Sequence, residues 1–278
     1  MRQSSVRGPL STGATESCYS AKFICEMLLV SLTGIIDNLA RWIRSGMTQK
    51  IRNRRKEPRA PESGTARKDN ESASHRVIEI YDELAEEYAL HYESGNPDKR
   101  LWDEFLKHVK KGSRLLDLGC GTGSTADYFF QRGMRVEGVD LSSGMIAVAK
   151  RRFPEIVFRR GDIRKWRSPS GRFDAIWAGY SLFHMPRSDF ETVVAKTRRL
   201  LARGGIFGLT MQEGSGESEM PDPFVPGKAM LVCRYSLEQL KAILEANHFR
   251  ILAHKKRCPV SRAEYPFDKL LVIAKEVS

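Results

Sequence analysis

From residue 77 to the C-terminus, short apolar runs alternate with segments in which apolar residues recur at helical spacing. Such alternation is typical of a parallel sheet whose strands are joined by crossover helices. The predicted strands are 114–118, 135–139, 156–159, 173–177 and 206–211, and the predicted helices are 77–92, 98–110, 123–132, 143–152, 188–202 and 236–247. We therefore expect a doubly wound α/β domain over residues 76–278.

Two further apolar runs, RILAHKKRCPV and DKLLVIAKEV, close the chain, with a short turn region around Tyr265 and Pro266 between them. Because that turn leaves no room for a crossover helix, the two runs should pair antiparallel. Residues 212–228 form a predicted polar loop, whose Gly, Ser and Pro content favours a lid that becomes ordered on ligand binding. Arg234 and Tyr235 are candidate lid or hinge residues. The expected sheet is mostly parallel and seven-stranded, with a C-terminal antiparallel hairpin.

Residues 1–47 are predicted to form an N-terminal extension with one amphipathic helix, because Leu28, Leu32, Ile35, Ile36, Leu39 and Ile43 recur at helical spacing. Its apolar part, 23–36, contains Glu26 and is shorter than the roughly 20 residues that span a bilayer. We predict no transmembrane segment. A helix covering a surface groove, a gene start placed upstream of a true start at Met47, a peripheral membrane contact and an organelle-targeting role all stay open.

Residues 48–75 are almost free of apolar side chains and rich in charge, Pro, Gly and Ser, which predicts a disordered linker. The chain has a formal net charge of +12, and more than half of that excess lies in residues 1–76. The run IRNRRK within the linker is either solvated chain or a patch for nucleic acid or another anionic surface. The fold prediction is thus an α/β domain behind a disordered basic N-terminal extension.

The five cysteines are scattered and include no CxxC pair. They are Cys18, Cys25, Cys120, Cys233 and Cys258. Neither a disulfide framework nor a zinc site is indicated, and no metal is predicted. A reducing cytoplasm is the expected location.

The segment SRLLDLGCGTGSTADYFF combines a strand, a turn with three glycines and the start of a helix, whose first N–H groups are free to meet an anion. A dinucleotide-binding GxGxxG/A loop would need Gly or Ala at position 124, where the chain has Ser124, and an apolar residue at Asp117. Both departures favour another ligand. The Asp117 carboxylate suits a ligand that carries a positive ammonium group.

Asp140 closes the second predicted strand about 20 residues after the loop, where a carboxylate can accept hydrogen bonds from both hydroxyls of a ribose. Asp162 follows the third strand and is placed to accept from an exocyclic amine. Leu141, Met145 and Ile163 supply apolar walls for a purine ring. These positions fit one nucleoside ligand.

The motifs DLGCGTG, VDLS and GDI, in this order and spacing, resemble the first three motifs of the S-adenosylmethionine-dependent methyltransferases with a seven-stranded sheet. The resemblance implies that Asp117 and the loop residues Gly119, Cys120, Gly121 and Gly123 hold the methionine part of the cofactor. It likewise implies that Asp140 holds the ribose and that Asp162 meets the adenine amine. The first core helix is similar to an aromatic-bearing helix that closes over the cofactor, with Tyr81, Tyr88 and Tyr92 as candidates; anchoring of the helix on the sheet is the alternative.

Methyl transfer from a sulfonium needs mainly positioning, with a base only where the acceptor must lose a proton. The resemblance places Ala178, Gly179, Tyr180, Ser181 and His184, after the fourth strand, around the methyl group and acceptor, with Ala178 against the cofactor. His184 is the candidate base, and packing against the next helix is its alternative. The sequence AGYS departs from the Asn/Asp-Pro-Pro-aromatic motif of DNA amino-methylating enzymes, and the cysteines disfavour a thiol-dependent arsenic methyltransferase.

We expect an enzyme that methylates an O, N or C atom of a small organic acceptor. One alternative is an RNA- or DNA-directed methyltransferase that uses IRNRRK and the arginines Arg151, Arg152, Arg159, Arg160 and Arg164. A second is a protein that binds the cofactor without catalysis. Nothing in the sequence indicates an oligomeric state.

Overall fold

The computed structural model describes residues 77–90, 97–223, 227–261 and 264–277. The helix predicted within residues 1–47 and the linker predicted over residues 48–75 lie outside this range and stay predictions. The described residues all belong to one compact unit of the chain.

The helices and strands follow the predicted alternation. The described helices are α1 (77–90), α2 (Lys99–Leu106), α3 (Ser124–Phe130), α4 (Ser143–Arg152), α5 (Arg187–Leu200) and α6 (Leu237–Ala246). The strands are β1 (Arg114–Leu118), β2 (Arg135–Asp140), β3 (Val157–Arg160), β4 (Phe173–Gly179), β5 (Leu201–Glu213), β6 (Gly216–Pro221), β7 (Ala229–Tyr235), β8 (Phe249–Arg257) and β9 (Lys269–Glu276).

Five parallel strands lie in the order β3-β2-β1-β4-β5. Strand β9 pairs antiparallel with the other side of β5, and β8 pairs antiparallel with β9. These seven strands confirm the predicted mostly parallel sheet and its C-terminal hairpin. The carboxyl ends of the parallel strands share one edge, which is where ligands of open α/β sheets bind.

Helices cover both faces of the sheet. Strand β4 shows this arrangement, because Ile176 packs into one apolar cluster with Phe190 of α5, whereas Trp177 packs into a second cluster with Phe105 of α2 and Phe129 of α3. Successive side chains of a strand point to opposite faces, so these clusters form two layers. Doubly wound packing of this kind leaves the central strand β1 buried at four of its five residues.

The predicted polar loop over 212–228 is wrong at residues 212–213 and 216–221, which form strands. Strand β5 extends to Glu213, and β6 pairs antiparallel with β7 to give a sheet of nine strands. The residues of β6 from Glu217 to Pro221 alternate between exposed and half-buried, so its polar sequence, GESEMP, suits an edge strand whose pairing is made by the backbone. Tyr235, predicted as a lid or hinge residue together with Arg234, ends β7 and packs in the core against Phe190 at 4.8 Å between ring centroids.

Within the described ranges, no helix combines the length and apolar character that crossing a bilayer requires.

Candidate active site

The glycine loop follows β1 and lies against the end of β2. Gly119, Gly121 and Gly123 have positive φ angles of 78°, 51° and 85°, which glycine adopts without steric cost. The N–H groups of Gly119 and Cys120 donate to the carbonyl oxygen of Val139 at 2.7 and 3.1 Å. Hydrogen bonds to the neighbouring strand therefore fix the loop at the carboxyl edge of the sheet.

Gly119 is the position in this loop that leaves least room for a side chain. A Cβ atom there would overlap the Ser181 side chain, whose hydroxyl donates to the Leu118 carbonyl oxygen at 2.6 Å. We expect Gly119→Ala to lower the free energy of unfolding by about 2 kcal/mol, as measured by urea denaturation. Gly112→Ala is the matched control, because Gly112 has a φ of 83° but no atom within 4 Å of an added Cβ. Equal losses in both variants would contradict the steric argument.

Asp140 bridges the glycine loop and the start of α4. One carboxylate oxygen accepts from the N–H of Gly121 at 2.9 Å, and the other accepts from the N–H of Ser142 at 2.9 Å. Burial raises the pKa of Asp140, and these N–H donors oppose the rise. Each carboxylate oxygen can accept a second hydrogen bond. Asp140 lines a cavity at the carboxyl edge of the sheet, so it is placed to receive two hydroxyl groups.

The structure brings most of the predicted site residues together around this one cavity. Those that line it are Tyr81, Tyr88, Gly119, Gly121, Asp140, Leu141, Met145, Asp162, Ile163 and His184. Gly179, Tyr180 and Ser181 line it as well. Residues from β1, β2 and the segment after β3 form one end of the cavity, here called the nucleoside end.

Asp117 lies beneath the glycine loop and does not line the cavity. Its carboxyl group is 1% exposed, accepts from the N–H of Ala126 and sits close to Asp140. Burial, followed by the negative charge of Asp140, raises the pKa of Asp117 to about 8. Its Oδ2 atom is buried without a hydrogen-bond partner, and the contact with the methionine part of a cofactor stays a prediction.

Three other predicted cofactor residues also face the core. The Cys120 thiol is buried, next to the position that a Cβ on Gly138 would take. A Cβ on Gly123 would meet Phe153 and Phe158, so this glycine is needed for packing of the loop. Ala178 is fully buried within the apolar layer beneath α5. All three shape the cavity without lining it.

Asp162 is held by an arginine two residues later in the chain. The Arg164 guanidinium donates to both carboxylate oxygens at 3.0 to 3.2 Å and also to Asp189 at 3.1 Å. Burial alone would raise the pKa of Asp162, but the hydrogen bonds and charge of Arg164 outweigh it and hold that pKa below its ordinary value. Asp162 is therefore a carboxylate fixed at the rim of the nucleoside end.

Helix α1 lies along the cavity and is fixed to the start of α4 by the Asp82 carboxylate, which sequence reasoning missed. Asp82 accepts from the hydroxyls of Ser142 at 2.5 Å and Ser143 at 3.2 Å, and from the N–H of Gly144 at 2.8 Å. A negative charge at the N-terminus of α4 is stabilised by the helix dipole. Gly144 allows this close approach, because a Cβ there would collide with the Asp82 backbone.

Tyr81 of α1 is hydrogen-bonded to His184, which follows β4. The Nδ1 atom of His184 lies 2.8 Å from the Leu231 carbonyl oxygen and must donate to it. Its Nε2 atom is then an acceptor for the Tyr81 hydroxyl at 3.1 Å. Burial lowers the pKa of His184 to about 4, although the bond to Leu231 opposes this, so the imidazole is neutral at pH 7.

Sequence reasoning also missed a polar cluster at the other end of the cavity, beyond β4 and β5, here called the acceptor end. Its members are Asp98, Gln212, Asp222, Arg257, Glu264, Tyr265 and Lys269. The Arg257 guanidinium donates to Asp98 at 2.5 Å and to Glu264 at 2.8 Å. Although burial opposes it, these bonds raise the pKa of Arg257. The bond between Arg257 and Asp98 joins residues 159 positions apart in the chain, so no short sequence motif predicts it.

The arginines that were candidates for nucleic-acid contact take part in bonds within the domain. Arg151 donates to Glu86 at 2.6 Å, Arg160 donates to the Leu141 carbonyl oxygen at 3.1 Å, and Arg164 binds Asp162 as described. Their charges thus partly serve to fix helices and loops around the cavity.

Residues 115–205 match a family model described as a methyltransferase domain. A trans-aconitate 2-methyltransferase of Delftia acidovorans is 31% identical over 136 residues, which cover 47% of this chain and 50% of that protein. A demethylmenaquinone methyltransferase of Beutenbergia cavernae is 34% identical over 113 residues, which cover 39% and 47%. The chain spans about half the length of the curated relatives it matches.

A solved structure shows the same fold over more of the chain. It is the Burkholderia thailandensis 1,6-didemethyltoxoflavin-N1-methyltransferase with bound 1,6-didemethyltoxoflavin and S-adenosylhomocysteine. It matches with a TM-score of 0.61 at 18% identity, covering 80% of this chain and 93% of that one. Residues 115–205 therefore match a methyltransferase domain, and the domain that contains the glycine loop and the acidic strand end has the fold of that solved structure.

Proposed function

We propose that this protein transfers a methyl group from S-adenosylmethionine to an O, N or C atom of a small organic acceptor. The observation that carries the proposal is one continuous cavity, which reaches from Asp140 and Ile163 at the nucleoside end to His184 and Gln212 at the acceptor end. In-line displacement needs donor and acceptor in one enclosure with their reacting atoms aligned. The curated relatives named above are also named for small acceptors, trans-aconitate and demethylmenaquinone.

The nucleoside end fits the cofactor in shape and polarity. Asp140 would hold the ribose hydroxyls, and Leu141 and Met145 would contact the purine, with Asp162 near its amine. The Gly119 backbone borders the cavity where a side chain cannot fit, which suits a close approach by the methionine part. When bound, the cofactor supplies a methyl group already activated on a sulfonium.

His184 is the proposed base for those methyl acceptors that must lose a proton. Its Nε2 atom is neutral at pH 7 and takes the Tyr81 hydroxyl proton while Tyr81 receives the proton of the acceptor. We expect His184→Asn to lower kcat about a hundredfold, because Asn keeps a donor for the Leu231 carbonyl oxygen but loses Nε2. The measurement is turnover of labelled methyl donor across pH 5 to 9. An unchanged kcat and pH profile would reduce His184 to a packing role.

The small-molecule proposal is tested by following where the methyl group goes. The full chain is incubated with S-adenosylmethionine labelled in its methyl group and with three cell fractions, namely small molecules, RNA and protein. We expect the label in the small-molecule fraction. Label in RNA, lost on deletion of residues 1–75 and at high salt, would favour the nucleic-acid alternative instead. Cofactor binding without label in any fraction would favour a non-catalytic protein.

We propose that the protein works in the cytoplasm. Cys120, Cys233 and Cys258 are free thiols, which suits a reducing compartment. Fractionation of the source cells with an antibody to the chain is the direct test, and recovery with an organelle or with membranes would contradict the proposal.

A further inference from the structure

Two polar groups at the acceptor end are buried without a hydrogen-bond partner. The Gln212 side-chain oxygen and the Tyr265 hydroxyl both lack one, and the two residues are 2% and 6% exposed. Leaving a buried polar group unpaired costs about 1–3 kcal/mol. Both residues line the cavity, so a ligand bound there can supply the missing partners.

Aromatic rings lie beside Tyr265 along the same cavity. The Phe183 ring lies 4.0 Å from the His184 ring and 5.9 Å from the Tyr265 ring, measured between centroids. Tyr81 lies 5.9 Å from His184 on the side of α1. Flat walls of this kind pack best on a flat ligand through stacked or edge-to-face contacts.

The charges at the acceptor end leave no described cation for an anionic ligand. Arg257 is bound by Asp98 and Glu264, and its Nη2 atom donates to the Tyr180 hydroxyl at 3.3 Å. The Lys269 ammonium donates to two backbone carbonyl oxygens at 2.6 and 2.7 Å and lies 3.6 Å from Glu264. A carboxylate buried here would lose its hydration without gaining a partner, which is costly.

We propose that the acceptor is a planar ring compound without a negative charge, whose edge carries both a hydrogen-bond donor and a hydrogen-bond acceptor. This edge pairs with the Gln212 carboxamide and the Tyr265 hydroxyl, while the ring packs against Phe183. The inference rests on the proposed function, because it names the substrate class of the same site. Gln212 and Tyr265 are accordingly specificity-determining residues.

The first test compares three probes that share one bicyclic ring. They are 2-quinolinone, which has adjacent N–H and C=O groups, quinoline, which lacks the N–H, and the charged quinoline-2-carboxylate. Their binding to the full chain saturated with S-adenosylhomocysteine is followed by NMR titration. We expect 2-quinolinone to bind roughly tenfold more tightly than quinoline, since one net hydrogen bond is worth about that factor, and the carboxylate to bind most weakly. Tightest binding by the carboxylate, or no binding by any probe at millimolar concentration, would overturn the proposal.

The second test removes the carboxamide. Gln212→Met keeps the length of the side chain, and Gln131→Met is the matched control on the exposed end of α3. We expect Gln212→Met alone to abolish the preference for 2-quinolinone and to raise Tm by roughly 2–4 °C, because it relieves an unpaired buried group. A fall in Tm with the preference for 2-quinolinone intact would mean that Gln212 has a structural role only.

A separate calorimetric titration distinguishes this inference from the proposed function. Absence of S-adenosylhomocysteine binding to the wild-type chain would defeat the proposed function itself. Normal binding of S-adenosylhomocysteine with no difference in affinity among the probes would defeat only this inference.

Discussion

Asp140→Ala is expected to weaken S-adenosylmethionine binding roughly thousandfold. The substitution removes the acceptor for two ribose hydroxyls, and charge-assisted hydrogen bonds contribute about 1.5–3 kcal/mol each. It also removes the acceptor for the N–H groups of Gly121 and Ser142, so the glycine loop loses its link to α4. Calorimetric titration of the full chain with S-adenosylmethionine and S-adenosylhomocysteine measures both effects as one dissociation constant.

Two further variants separate the ribose contact from the fold. Asp140→Asn keeps one oxygen for the loop but loses the negative charge, so we expect an intermediate loss of affinity. Asp127→Ala is the matched control, because Asp127 lies in the first turn of α3, outside the cavity. If Asp140→Ala were to bind within threefold of wild type while remaining folded, the nucleoside end would be wrongly assigned, and a dinucleotide ligand would again be worth testing.

The fold was predictable from the sequence where the hydrophobic period was clear. Strand β1, with LLDL buried, and helix α4, with Ser142 as its N-cap, occupy the expected positions. Strand β6 was missed because an edge strand is stabilised by backbone pairing and shows little apolar periodicity. The start of β5 at Leu201 was not predicted either, because the sequence ARGG, which follows Leu201, is typical of a turn.

The two ends of the cavity differ in how far sequence could predict them. Asp140 is the last residue of β2 and Asp162 lies two residues after β3, so their spacing from the glycine loop places them at one edge. Gln212 and Arg257 of the acceptor end are brought there by the long β5 and by the hairpin that packs beside it. Their contacts depend on tertiary structure, and a lone Gln or Arg at a strand end carries no local signal.

Asp117 lies within the sheet and not along the cavity, and the ligand contact predicted for it stays a prediction. This residue pairs in register with Gly138 and Trp177 within the sheet, so its side chain points to a face of the sheet. The face is covered by α3, whose Ala126 N–H reaches the carboxyl group. A residue two positions before the loop thus supports the loop from below.

Arg257→Met is expected to lower the free energy of unfolding by about 3 kcal/mol at pH 7. The guanidinium is the cation shared by Asp98 and Glu264, whose side chains are 5% and 11% exposed. Removing one partner of a buried ion pair typically costs about 3–5 kcal/mol, because the remaining charges stay desolvated. The low end of that range applies here, since Lys269 remains 3.6 Å from Glu264. Urea denaturation measures the loss.

Arg187→Met is the matched control, because the Arg187–Glu191 pair is half-exposed on both sides and contributes less than about 1 kcal/mol. A loss in Arg257→Met no larger than the loss in Arg187→Met would contradict the argument, because it would mean that the carboxylates of Asp98 and Glu264 can stay buried without the guanidinium at little cost.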